Sequence, residues 1–108
     1  MGAKVRSRFY RREEFLMSSG KAIVLITELI KSPDYQGQEF PNGQKFKWIA
    51  YNRVNPDEQV RFDNHRGKAP HYHDNGHEEF FTWKSRKHTQ QMFYQKLIEK
   101  FGNLVQKL

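Results

Sequence analysis

Residues 44 to 54 read QKFKWIAYNRV, and the alternation in them constrains the fold more than any other stretch of the chain. Phe46, Trp48 and Ala50 fall on one side of an extended backbone, and Lys45, Lys47, Ile49 and Tyr51 on the other, because successive strand side chains point to opposite faces. A helix would scatter the same residues around its circumference, so the pattern reads as a strand with one face to bury. Asn55, Pro56 and Asp57 supply a turn, and Gln59 to Asn64 (QVRFDN) begins a returning strand. Val60 and Phe62 face one side of it; Arg61 and Asp63 face the other.

A sheet with one apolar face needs a cover, and the C-terminal third supplies one. Met92, Phe93, Leu97, Ile98, Phe101, Leu104, Val105 and Leu108 recur at three- and four-residue spacing, the stripe of an amphipathic helix that Ser85 would cap. Gly102 either ends that helix or weakens it. Lys21 to Ile30 (KAIVLITELI) is rich in β-branched residues and suits a buried strand, with helix as the competing assignment. Phe9 to Met17 has loosely spaced apolar residues, and Ser18, Ser19 and Gly20 read as a turn, so a hairpin is plausible there. Residues 31 to 43 form a loop. A short polar strand through His71 and His73 meets the turn Asp74-Asn75-Gly76, and Glu78 to Trp83 is strand-like. The expected fold is α+β in one domain, residues 1 to 108: an antiparallel sheet of four to six strands with a C-terminal amphipathic helix packed on one face. Residues 1 to 12, with Lys4, Arg6, Arg8, Arg11 and Arg12 and no acid, are expected to be a basic, frayed arm.

Nineteen Lys and Arg against 12 Asp and Glu leave the chain at +7, so an acidic partner is expected, RNA before a membrane surface. No run approaches the roughly 18 apolar residues of a membrane span. No apolar stretch after Met1 would serve as a signal peptide, and the expected compartment is the cytoplasm. Cysteine is absent, which excludes disulfides, thiolate metal sites and cysteine nucleophiles. Phe46, Trp48, Phe62, Phe93 and Phe101 are assigned to packing, while Tyr51, Tyr72 and Trp83 are candidates for stacking against RNA bases.

Four of the five histidines fall between positions 65 and 77, a concentration that core packing does not call for. Asp63 and His65 lie two apart on one strand, and His71 and His73 two apart on the returning one. If residues 66 to 70 reverse the chain, with Gly67 and Pro70 shaping the turn, all four share a face. His77 and His88 have the weaker claim. Two chemistries suit such a group. Imidazoles with a carboxylate can ligate a divalent metal. Alternatively, a pair of imidazoles can take the proton of an RNA 2′-hydroxyl and protonate the leaving oxygen, with Asp63 orienting a tautomer. The acid–base scheme is the preferred one; it needs no metal, and no cofactor is expected. Arg66 and Lys68, with Lys47 and Arg61 on the neighbouring strands, would bind phosphate. The competing structural explanation has Asp63 and Asn64 capping a turn and the histidines on a hydrated sheet face.

The segment VRFDNHRGKAPHYH resembles the TumE family of small toxin-antitoxin proteins, in which a strand ending in Asp-Asn is followed by a His-rich stretch. The likeness extends to the Trp-containing strand before it and to the aromatic strand and helix after it, about residues 20 to 102. It implies a toxin restrained by a cognate antitoxin, and RNA cleavage or interference with translation as the activity. Its motif falls on Asp63, Asn64, His65, Gly67, Pro70, His71 and His73.

Overall fold

The computed structural model describes residues 6–108. Seven strands form one antiparallel sheet: β1 (Ser7–Met17), β2 (Ala22–Lys31), β3 (Gln44–Asn52), β4 (Gln59–His65), β5 (Lys68–Asp74), β6 (His77–Phe80) and β7 (Leu104–Lys107). Their order is β6-β5-β4-β3-β2-β1-β7, so every neighbour up to β1 is a hairpin partner. One α-helix, α1 (Arg86–Phe101), precedes β7 and packs over β4. This is the α+β arrangement read from the sequence, with more strands than the four to six expected.

Two departures from the expectation, an ordered strand in place of a frayed arm and a strand after the helix, have identifiable causes. Residues 7 to 12 are not a frayed arm, because β1 pairs with β2 from Ser7 opposite Lys31 to Leu16 opposite Ala22. Its arginines meet acids on the same face: Arg8 lies 2.6 Å from Glu28 on β2, and Arg12 lies 3.2 Å from Glu14, which Arg53, just beyond β3, also reaches at 3.2 Å. Residues 1 to 5, the rest of the expected arm, lie outside the described residues.

The second cause is Gly102, which ends the helix. Its φ of +82° with ψ of −169° is backbone that only glycine adopts readily, and a Cβ there would stand 2.3 Å from Ser18 Oγ. Ser18 also accepts from Asn103 N at 2.8 Å and donates its own N–H to the Asn103 carbonyl at 2.7 Å. The chain is thereby turned onto the β1 edge as β7, and Leu104, Val105 and Leu108, which the spacing placed on the helix, are exposed beyond it.

The register separates two faces. Trp48 opposes Phe62, which opposes Tyr72, so these residues share the face covered by α1, where Phe93, Leu97 and Phe101 complete the core. Phe62 stacks on Tyr72 at 5.0 Å between centroids and meets the edge of Phe93 at 5.5 Å. Burying these large rings is the main stabilising term in a chain of this size. Ser85 caps the helix, accepting from His88 N at 3.0 Å. The opposite face carries no helix among the described residues. No helix of the described residues is long and apolar enough to cross a membrane.

Candidate functional site

Register places the polar cluster on the open face. Lys47 opposes Asp63, Asp63 opposes His71, and Arg61 opposes His73, so Lys47, Arg61, Asp63, His71 and His73 project from the side away from the helix. The Asn75-Gly76 turn, with φ of 53° and 76°, closes the next hairpin so that His73 opposes Glu78 and His71 opposes Phe80. Glu78 thus joins the group. The sequence reading missed it, although the register that this two-residue turn imposes could have found it.

The local backbone is set by Asn64, which sits at an irregularity in pairing between Asp63 and His65. Its side chain is buried on the helix side, where Oδ1 accepts from Phe46 N at 2.8 Å and Nδ2 donates to the Glu39 and Gln44 carbonyls at 2.6 and 3.0 Å. This residue belongs to the framework. It ties β4 to the loop before β3 and holds Asp63 facing outward. The tight turn after it needs Gly67, whose φ is +88° and whose N–H donates to Glu39 Oε2 at 3.0 Å. Pro70 is buried in β5, on the helix side.

At the centre is His71, only 1% exposed. Its Nδ1 is 2.8 Å from the Ala69 carbonyl, an oxygen that can only accept, so Nδ1 carries a proton. Its Nε2 stands 2.9 Å from Asp63 Oδ1 and 3.5 Å from Glu78 Oε1. The imidazole of His73 lies 5.0 Å from that of His71, with Nε2 at 3.7 Å from the same Glu78 oxygen. One ligating atom from each of Asp63, His71 and His73 falls within 4.8 Å of the others. His65 is exposed at the edge, its ring 5.9 Å from His71 and its Nδ1 3.0 Å from the Arg66 carbonyl.

Charge around the cluster is balanced in part. Lys68 Nζ donates to Glu78 Oε1 at 2.6 Å, and this hydrogen bond is the largest of the effects that hold the Glu78 carboxyl below its ordinary range. Arg61 Nε is 3.7 Å from Asp63 Oδ2. Desolvation, followed by the charges of Arg61 and His71, lowers the pKa of His73. Lys68 and Arg61, expected as phosphate ligands, therefore face carboxylates of the cluster. Lys47 and Arg66, the other two, are exposed and make no ion pair among the described residues; Lys45 likewise makes none.

The remaining expected residues are distributed otherwise. Tyr72 is buried on the helix side and donates a short hydrogen bond to Glu79, and Trp83 packs against Phe46, so neither presents a free stacking face. Tyr51 does stand on the open face. With Tyr10, Ile26, Glu28, Lys47 and Ile49 it lines a shallow groove of about 340 Å³ beside the cluster. His77 pairs with Glu79 on the other face, and His88 lies at the helix start. No family model, curated protein or solved structure matches the chain. None of these comparisons identifies the TumE family.

Proposed function

We propose that the protein acts on RNA, as a toxin-like endoribonuclease held in check by a cognate antitoxin, and that the open face of the sheet is where the strand lies. The observation that carries this is the convergence of Asp63, His71 and His73 beside a groove with an exposed lysine and a tyrosine. Lys45, Lys47 and Arg66, which make no ion pair among the described residues, supply the contacts to phosphate, and Tyr51 a ring against which a base can stack.

Cleavage would follow the course open to RNA alone. The 2′-hydroxyl loses its proton, its oxygen bonds to the adjacent phosphorus, and the bond from phosphorus to the 5′-oxygen breaks as that oxygen takes up a proton. A 2′,3′-cyclic phosphate and a 5′-hydroxyl result. His65 and His73 reach solvent and can exchange protons with a bound strand. His71, with both nitrogens engaged and 1% exposure, is a positioning residue. His71, expected with His65 and His73 as a catalytic candidate, is thereby set apart from the proton-exchanging pair.

Two measurements test the reading. Induced expression of the wild-type chain should arrest growth, and Asp63→Asn, which keeps the shape of the side chain and removes its charge, should relieve the arrest at equal protein level. RNA affinity should fall steeply with salt, and Lys47→Ala should reduce the slope of log K against log salt by roughly 1. Growth unaffected by the wild type, together with salt-independent RNA affinity, would remove RNA and the toxin role together.

A further inference from the structure

We infer that Asp63, His71 and His73 bind a single divalent transition-metal ion, with zinc as the type case. The argument begins at His71. The Ala69 carbonyl takes the proton of Nδ1, so Nε2 is the nitrogen that faces the cluster. It stands 2.9 Å from Asp63 Oδ1, which is itself buried. Nitrogen and carboxylate oxygen at that distance hold a cation between them, a proton or a metal ion, and His73, with a ligating atom within 4.8 Å of both, supplies the third donor that a metal ion calls for and a proton does not.

A backbone carbonyl that orients an imidazole by its far nitrogen is also the usual outer support of a metal-ligating histidine. Ligands of one tetrahedral ion at ordinary bond lengths lie roughly 3.3 Å apart. The three ligating atoms here lie within 4.8 Å of one another, so closure onto an ion requires a shift of up to about 1.5 Å, which falls to His73, the more exposed imidazole. Imidazole nitrogen with carboxylate oxygen suits zinc and its neighbours better than magnesium or calcium, which favour oxygen alone. Glu78 stays outside the ligand set, since Lys68 holds its Oε1 at 2.6 Å; the pair forms the rim. Arg61 sits behind Asp63 at 3.7 Å on the other carboxylate oxygen, leaving Oδ1 for the ion.

The inference concerns the cluster of the proposed reaction centre, and only the ion's part in cleavage rests on the RNA reading. With His73 as a ligand, His65 remains the imidazole free to exchange a proton with substrate.

The test uses the full chain, dialysed against chelator and then titrated with zinc chloride in a calorimeter, with cobalt(II) added separately for its visible absorption. One ion per chain is expected, with cobalt bands of an ordered nitrogen and oxygen environment. Asp63→Asn and His73→Ala should each weaken binding by at least tenfold and alter the bands, with circular dichroism confirming that both are folded; Asp63→Asn preserves shape where the buried His71→Ala would not. The double variant His77→Ala, His88→Ala should bind as the wild type does. Absence of saturable one-to-one binding would overturn the inference, as would binding that survives both cluster variants. Stoichiometric zinc binding by a protein that leaves RNA intact would uphold the ion and remove the RNA reading. Cleavage by a protein that binds no zinc would do the reverse.

Discussion

Replacing Asn64 by Ala removes three hydrogen bonds at once from a side chain that is 1% exposed. The Phe46 N–H, which Oδ1 accepts at 2.8 Å, is left without that acceptor, and the Glu39 and Gln44 carbonyls each lose a donor. A hydrogen bond contributes about 0.5–1.5 kcal/mol net, and a buried group left unpaired costs about 1–3 kcal/mol. Water can reach the Glu39 side, because the flanking loop is largely exposed, so that carbonyl is counted at the low end. The sum is about 2–4 kcal/mol, a large share of the roughly 5–15 kcal/mol that stabilises a domain of this kind. Urea unfolding followed by circular dichroism should show the midpoint lowered with an unchanged m value. Asn64→Asp is the companion: it keeps the acceptor for Phe46, loses both donors and buries a charge, so it should be no milder than Ala. His65→Ala, one residue on but exposed, should change stability by less than about 0.5 kcal/mol. A loss below about 0.5 kcal/mol in Asn64→Ala would refute the framework role given to this residue.

Three further outcomes are expected. Gly102→Ala should destabilise the protein by about 1–3 kcal/mol in the same assay, because its backbone angles are strained for any side chain and the new Cβ would stand 2.3 Å from Ser18 Oγ; a neutral effect would mean that the helix does not end as described. In an ultraviolet titration of the tyrosines, Tyr72 should ionise at about 12, raised first by its hydrogen bond to Glu79 and then by burial, and Glu79→Gln should bring it down. Because the folded value lies above the unfolded one, this contribution to stability is complete below pH 10 and lost as pH rises toward 12; a titration in which all five tyrosines ionise together would contradict it. Glu14, Glu58 and Glu79 are all lowered, each chiefly by a side-chain hydrogen bond, from Arg53, Lys21 and Tyr72 respectively. Their contribution is present above the ordinary carboxylate range and lost as pH falls through the folded values, so stability should decline on acidification; an acid limb absent from the stability curve would count against these pairs.

The features that survived from sequence to structure are those encoded locally. Alternation in residues 44 to 54 set the two faces of β3, and the spacing of Asp63, His71 and His73 set three groups on one face, since strand periodicity carries both. What was not legible depended on partners far along the chain. Arg8 looks like part of a free basic arm until Glu28 is placed across the sheet on β2, and no local pattern announces that pairing. The stripe continuing through Leu104 to Leu108 mimics a longer helix; the close approach of Ser18 to Gly102, 84 residues apart in position, decides otherwise. Asn64 reads as a site residue from its motif, and its buried carbonyl and N–H partners on the other side of the sheet reveal a framework role.

The central claim, that the open-face cluster is a reaction centre for RNA, is tested most directly by single-turnover cleavage of a labelled RNA by the purified chain. Wild-type protein should yield fragments ending in 2′,3′-cyclic phosphate. Asp63→Asn and His73→Ala, folded by circular dichroism and binding RNA with unchanged affinity, should cleave at least roughly 10²-fold more slowly. Cleavage that persists at the wild-type rate in both variants, or none by the wild type, would contradict the account.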